Sequence, residues 1–264
     1  MTEQEWLEFV NPQFDHPDHS IGRLIRFLES KGSPRKLRLY VLACCQRLAH
    51  ILAEAEWSSA ALAVAEDVAE GHCPTSELQK YREYAGPGGG IVNAHYSLKG
   101  ELLPGAELAA AKERAADAFR CALSEDLTTQ RHATESGGVY YTQAAGATGW
   151  HGDEAIWLDE LARTQDRQAA DAARRREIHT QALTLHDIFG NPFRPVTVDP
   201  AWLTLTVTSL AQAIYDERAF DRLPILADAL EDAGCDHADI LNHCRQPRVH
   251  VRGCWCVDLL LGKQ

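Results

Sequence analysis

Apolar residues recur every three to four positions along most of the chain, which is the spacing of a buried stripe on an α-helix. The clearest stripe in the N-terminal half lies on a helix predicted from Pro34 to about Ala55. Its apolar residues are Leu37, Tyr40, Val41, Cys44, Leu48, Ile51 and Leu52. Similar patterns predict further helices, which cover about residues 2–10, 21–30, 57–70, 75–84, 105–126, 153–184, 204–215, 221–234, 236–244 and 255–261.

Polar residues at the starts of these segments predict helix caps. Thr2 and Glu5 have the spacing of a capping box, and Ser33 precedes a proline at the first position of the next helix. Asp221 and Asp236 are predicted to cap two helices near the C-terminus for the same reason.

Glycine-rich segments predict breaks between the helices at Gly86–Gly90, Ser136–Gly138 and Gly146–Gly149. The first segment is not a phosphate-binding loop, because no Gly-Lys-Ser/Thr follows it and no apolar strand precedes it. Leu203 to Thr208 alternates like a strand, but a helical stripe continues beyond it and no convincing partner strand is found. We therefore predict a helix that begins near residues 204–206.

These patterns predict an all-α fold, an irregular multi-helix bundle with short loops and no substantial sheet. Three regions differ in character: an N-terminal helical region (residues 1–85), an Ala-rich helical middle with Gly-rich loops (86–188) and a C-terminal helical region with a Cys/His cluster (189–264). We expect them to form one compact unit.

Composition narrows the function classes. The chain of 264 residues has a formal net charge of −12, which argues against broad binding to nucleic acid or to an anionic membrane. The sequence shows no secretory signal and no apolar run of membrane-spanning length. Eight cysteines without a signal peptide are typical of free thiols or metal ligands in the cytoplasm, which is the predicted location.

Half of the cysteines and three histidines lie in the last thirty or so residues, and they suggest three interpretations. The first is a zinc site formed by Cys235, Cys244, His250 and Cys254, with His243 as an alternative to Cys244. Structural zinc sites usually contain a close pair of ligands, whereas the spacings between successive cysteines here are nine, ten and two residues. The sequence therefore favours no cofactor, with zinc as the alternative.

The second interpretation is a nucleophilic site, in which Cys254 or Cys244 would need a nearby histidine and a group that orients it. Spacing alone does not show that such residues meet. The third is structural: each cysteine lies beside a predicted turn, where a thiol can fill a tightly packed position. We favour the structural interpretation.

Basic residues in the same region suggest a binding surface. We predict an exposed loop that docks an anion or a partner. Its residues are His243, Arg245, Arg248, His250 and Arg252. A second basic stretch, between Lys31 and Arg47, is interpreted as a solvated face balanced by acidic residues on neighbouring helices.

Several motifs resemble an uncharacterised protein family expanded in planctomycete bacteria. They are Phe189-Gly190-Asn191-Pro192-Phe193-Arg194-Pro195-Val196, Leu223-Pro224-Ile225-Leu226-Ala227-Asp228-Ala229-Leu230-Glu231-Asp232-Ala233-Gly234-Cys235, His243-Cys244-Arg245 and His250-Val251-Arg252-Gly253-Cys254-Trp255. The resemblance covers both ends of the chain, because Arg35-Lys36-Leu37-Arg38-Leu39 with Ala43-Cys44-Cys45 is similar to the N-terminal part of the family. It implies no reaction, so no catalytic residue is carried over.

The sequence thus predicts a non-enzymatic interaction or regulatory module whose partner is another protein. The alternative is a zinc-binding protein or a hydrolase that uses the C-terminal cysteines and histidines. The sequence assigns no reaction.

Overall fold

A computed structural model describes residues 1–11, 20–28, 31, 33–85, 105–127, 129–133 and 139–263. The chain divides into two compact units, Met1–Leu183 and Thr184–Gln264. The predicted loop at Gly86–Gly90 and the predicted break at Ser136–Gly138 lie outside the described residues.

The first unit is built mainly from α-helices. In chain order they are α1 (Glu3–Glu8), α2 (Ser20–Leu28), α3 (Pro34–Leu48), α4 (Glu56–Ala69), α5 (Leu78–Tyr84), α6 (Glu107–Ala122) and α7 (Ala144–Thr164). Helix α7 contacts α2, α3 and α6, and the stripe predicted on α3 is buried. The predicted cap at Thr2 is confirmed as a complete capping box, and that at Ser33 is confirmed by its bond from the Lys36 amide.

Two short strands precede α7. Strand β1 (Thr129–Ala133) pairs with β2 (Val139–Gln143) as an antiparallel hairpin with Thr129 opposite Gln143. The predicted all-α bundle without a substantial sheet is confirmed, because this hairpin accompanies a fold that is otherwise helical in the described residues.

The predicted break at Gly146–Gly149 is wrong, because both residues lie inside α7. A Cβ atom on Gly149 would lie 2.7 Å from Oε1 of Gln181 and 3.1 Å from the hydroxyl oxygen of Tyr40. Gln181 is buried, and its side-chain amide donates to the Gly149 carbonyl at 3.0 Å. Glycine here permits close approach of a neighbouring helix rather than a turn.

We expect Gly149→Ala to lower the free energy of unfolding by about 1–2 kcal/mol, because overpacking outweighs the higher helix propensity of alanine. Urea unfolding followed by circular dichroism measures the change. Gly22→Ala in α2 is the matched control, since a Cβ there meets no atom within 4 Å and the substitution should be neutral or stabilising. Equal effects of the two substitutions would contradict the close-approach explanation.

The basic stretch between Lys31 and Arg47 is not a solvated face throughout. Arg38 is buried, and its guanidinium donates to the carbonyls of Ala122 and Ser124 at the C-terminal end of α6. Arg47 donates to the buried Glu177 carboxylate at 2.7 and 3.0 Å. The predicted exposure is wrong for these two residues, because a charged group that is hydrogen-bonded to carbonyls or to a carboxylate can be buried with its long aliphatic stem. The predicted balance by an acidic residue on a neighbouring helix is confirmed for Arg47.

The boundary between the two units lies within α8 (Arg167–Phe189), which starts after a break at Gln165 and extends beyond the predicted end at Thr184. The second unit continues with α9 (Leu205–Glu217), α10 (Leu223–Asp232), α11 (Ala238–Arg245) and α12 (Trp255–Leu260). The predicted helical start near Thr204 is confirmed, with Thr204 as its cap.

Two other predicted caps in this unit are wrong. Helix α10 follows a 3-10 turn at Phe220–Arg222, and α11 has His237 rather than Asp236 at its N-cap position, with no side-chain capping bond at either helix. Helices α9 to α12 nevertheless enclose a continuous apolar core, which includes Ile214, Leu226 and Leu230. Within the residues that the structure describes, no helix is long and apolar enough to cross a membrane.

Candidate metal centre

The C-terminal end of α8 places a carboxylate in the interior of the second unit. Gly190 ends the helix with φ of +65°, and its amide donates to the His186 carbonyl. A Cβ at Gly190 would lie 3.1 Å from the Trp255 ring, so the glycine also permits this ring to pack against the helix end. Asp187, one turn before, is fully buried.

Asp187 accepts hydrogen bonds from residues that are distant in sequence. Its Oδ1 accepts from Nδ1 of His250 at 2.6 Å, and its Oδ2 accepts from the Val251 amide at 2.9 Å. Nε2 of His243 lies 3.4 Å from the same Oδ1. Burial alone would raise the pKa of Asp187, but the bonds from His243 and His250 outweigh it and lower the pKa to about 2.

Cys254 completes a group of four side chains. It occupies the N-cap position of α12, and its Sγ lies 3.0 Å from Nε2 of His243. One ligand atom from each of Asp187, His243, His250 and Cys254 lies within 4.8 Å of the other three. We call these four residues the Asp187 cluster.

The neighbours of His243 fix the orientation of its imidazole ring. Trp255 donates from its indole nitrogen to Nδ1 of His243 at 2.9 Å, and a guanidinium nitrogen of Arg248 also contacts Nδ1. The His243 ring packs edge-on against His250 and Trp255, with centroid distances of 4.9 Å to both. Because Nδ1 accepts, the proton of the neutral ring is on Nε2, which faces Cys254 and Asp187, and a metal ion bound at Nε2 would displace this proton.

The Asp187 cluster is a buried anionic site. Burial lowers the pKa of His243 to about 4, so its imidazole is neutral near pH 7. Burial also raises the pKa of Cys254 well above its usual value, which keeps the thiol protonated. With Asp187 ionised, the cluster holds a buried carboxylate beside a neutral imidazole at His243 and a neutral thiol at Cys254. A cation would stabilise this arrangement.

The geometry also fits a tetrahedral ion. Zinc bonds of about 2.0–2.3 Å place neighbouring ligand atoms roughly 3.3–3.8 Å apart. The observed separations of 3.4 Å (His243 to Asp187) and 3.0 Å (His243 to Cys254) are close to that range. The 2.6 Å contact between Nδ1 of His250 and Oδ1 of Asp187 would have to widen by about 1 Å to reach this range. The other ring nitrogen of His250, Nε2, is buried and has no hydrogen-bond partner.

Two of the four ligands predicted from sequence, His250 and Cys254, lie in the Asp187 cluster, while Cys235 and Cys244 do not. Adjacent residues on a helix project about 100° apart, so Cys244 does not share the direction of His243. It meets Cys256 instead, at a sulfur–sulfur distance of 3.3 Å. Cys235 is buried just beyond the end of α10, where its amide bonds to the Leu230 carbonyl.

The predicted docking loop is exposed only in part, at Arg245 among its five residues. His243 is buried in the Asp187 cluster, and only four per cent of the His250 side chain is exposed. Arg248 contacts His243, and the Arg252 guanidinium lies 4.4 Å above the Tyr215 ring. Arg245 is exposed but is paired with two carboxylates of α10, Asp228 and Glu231. The expectation of exposure is corrected because most of these side chains pack within the unit.

Sequence reasoning missed Asp187. Its position in the helix could have indicated a site residue, because the helix dipole disfavours a carboxylate in the last turn and such a group needs another stabilising partner. The neighbouring Leu185 and Ile188 are both fully buried, which also marks this turn as interior.

The Cys254–His243 contact has the distance of a nucleophile and its base, but not the arrangement. In a catalytic triad the carboxylate holds the ring nitrogen opposite the nucleophile, whereas Asp187 and Cys254 both approach Nε2. Cys254 is also fully buried. The geometry thus favours a ligand set over a nucleophilic site.

Comparisons with protein-family models, with curated proteins and with solved structures found no match to this chain. The resemblance to a planctomycete family stays a prediction.

Proposed function

We propose that the second unit of this protein is a metal-binding module that holds one structural zinc ion in the Asp187 cluster. The observation that carries the proposal is the convergence of four donors, one carboxylate, two imidazoles and one thiol, in a buried position. Nitrogen and sulfur donors suit zinc, whereas magnesium and calcium prefer oxygen donors throughout.

The neighbouring groups support this assignment. Metal-bound side chains are normally oriented by further hydrogen bonds, and the Val251 amide provides such a bond to the second oxygen of Asp187. The ligands join the end of α8 to the last turn of α11, to the segment that follows it and to the N-cap of α12. Such an ion would therefore stabilise the fold of this unit.

The burial of the ligands also supports a non-enzymatic role. A catalytic zinc ion keeps one position open for water or substrate, while a structural ion has four protein ligands. Asp187 and Cys254 are fully buried, and four protein donors are present. The predicted role as an interaction or regulatory module, its protein partner and its cytoplasmic location remain predictions.

We expect the purified full-length protein to contain about one zinc ion per chain, and Cys254→Ser to lose it. Elemental analysis measures the zinc content, and the absorption of the cobalt-substituted protein reports thiolate coordination. Cys235→Ser is the matched control, because Cys235 is a buried thiol of the same unit outside the Asp187 cluster. A wild-type protein that retains no metal after growth with zinc would overturn the proposal, as would equal metal contents in the two variants.

A further inference from the structure

Two buried thiols beside the Asp187 cluster have no role in the proposed zinc site. Sγ of Cys244 lies 3.3 Å from Sγ of Cys256, and the two residues are 12 positions apart in the sequence. Cys244 belongs to the last turn of α11 and Cys256 to the first turn of α12. The apolar core of the second unit surrounds both side chains.

This arrangement is close to that of a disulfide. A disulfide bond has a sulfur–sulfur distance of about 2.05 Å, so the two sulfur atoms would have to approach by about 1.3 Å. Side-chain rotation and a small shift of either helix end can supply such a movement. The pair differs in this respect from a lone buried cysteine, because a second thiol is already in contact.

Each thiol is also close in sequence to a residue of the Asp187 cluster. Cys244 directly follows His243, and Cys256 lies two residues after Cys254. Trp255, which lies between Cys254 and Cys256, donates the hydrogen bond to the His243 ring. A shift of either helix end that joins the two sulfur atoms therefore displaces backbone that carries His243 or Cys254.

We propose that Cys244 and Cys256 form a disulfide under oxidation and that this disulfide weakens metal binding at the Asp187 cluster. The first part stands on the geometry of the two thiols. The second part, the regulation of the metal, rests on the proposed function.

Hydrogen peroxide is the oxidant that the reaction requires. One thiol first reacts with peroxide to give a sulfenic acid and one water molecule. The second thiol then attacks the sulfenic sulfur, which forms the sulfur–sulfur bond and releases the oxygen as a second water molecule. The two cysteines together lose two electrons and two protons, and peroxide is reduced to two molecules of water.

Burial makes this oxidation slow, because peroxide must reach one of two thiols that the apolar core surrounds. The coupling is reciprocal. If the disulfide lowers the affinity for zinc by a given factor, bound zinc opposes formation of the disulfide by the same factor. Displaced neighbours of a metal ligand typically lower affinity by about 10–100-fold, which sets the expected effect.

The first experiment tests the pair without reference to metal. The full-length protein, with and without prior zinc removal by a chelator, is treated with hydrogen peroxide and mapped by mass spectrometry without reduction. We expect a linked peptide pair that contains Cys244 and Cys256, two hydrogen masses lighter than the thiols. Oxidation of other cysteines without this linked pair would overturn the proposal.

The second experiment tests the coupling, by following zinc release into a chromophoric chelator during oxidation. We expect zinc affinity to fall by about 10–100-fold in the oxidised wild type and to be retained in Cys244→Ser and Cys256→Ser. Cys244→Ala and Cys256→Ala replace the serine variants if these do not fold, and Cys235→Ser should respond like the wild type. Equal release from the wild type and both pair variants would overturn the coupling, since it would indicate oxidation of Cys254 itself.

The two experiments separate the two proposals. A linked Cys244–Cys256 peptide in a protein that never binds zinc would overturn the proposed function and the coupling, and would leave the disulfide supported. Stoichiometric zinc without the linked peptide would support the proposed function and overturn the disulfide.

Discussion

Replacing Asp187 with alanine is expected to abolish metal binding and to lower the free energy of unfolding of the second unit. The expected loss is about 3–5 kcal/mol, which is the cost of removing one partner from a buried charged network. Asp187 is fully buried and accepts from His250 and the Val251 amide. Its loss leaves these donors in an interior without an acceptor.

Two variants test this explanation. Asp187→Asn keeps an oxygen acceptor but removes the charge, so it should weaken metal binding while costing less stability than alanine. Asp216→Ala, at an exposed position on α9, should change stability by no more than about 0.5 kcal/mol. Metal titration and urea unfolding measure the two effects. An Asp187→Ala protein as stable as the wild type would show that the buried carboxylate has no structural role.

The second large effect is expected in the first unit, at the ion pair between Arg47 and Glu177. Both oxygens of the Glu177 carboxylate accept from the Arg47 guanidinium, and Gln181 donates to Oε1 at 3.0 Å. Glu177→Leu leaves the guanidinium largely buried without its carboxylate. We expect a loss of about 3 kcal/mol in the free energy of unfolding, measured with urea.

A double variant distinguishes the charge effect from a packing defect. Arg47→Met combined with Glu177→Leu removes both charges, so it should recover much of the stability lost in Glu177→Leu alone. The exposed pair of Lys80 and Glu77 is the control, and Glu77→Leu should cost no more than about 1 kcal/mol. A double variant that is less stable than Glu177→Leu would contradict an uncompensated buried charge as the cause.

The fold class could be predicted from the sequence because helical periodicity and caps are local. Thr2, Ser33 and Thr204 act within three residues of their own positions, and the sequence contains both partners of each bond. The break predicted at Gly149 failed for the opposite reason. The glycine is required by the side chains of Tyr40 and Gln181, and no local pattern indicates that these two residues meet there.

The residues of the candidate site also separate into those that a local pattern predicts and those that depend on contacts between distant parts of the chain. His250 and Cys254 could be predicted because turn signals and suitable donors occur together in one short segment. Asp187 could not be predicted from spacing, since it is 63 residues from His250, with which it shares a hydrogen bond. The choice between His243 and Cys244 depends on the rotation of α11 about its axis, which the contacts with Asp187 and Cys256 reveal.

That sequence separation has a consequence for the unfolded chain. An ion bound by Asp187 and His250 would close a loop of 63 residues, as a covalent cross-link does. In the chain-entropy description, closing such a loop removes denatured-state freedom equivalent to about 4 kcal/mol. Because the unfolded chain releases the ion, this freedom is lost when the unit folds around zinc, and the loss reduces the stabilisation that the four bonds provide.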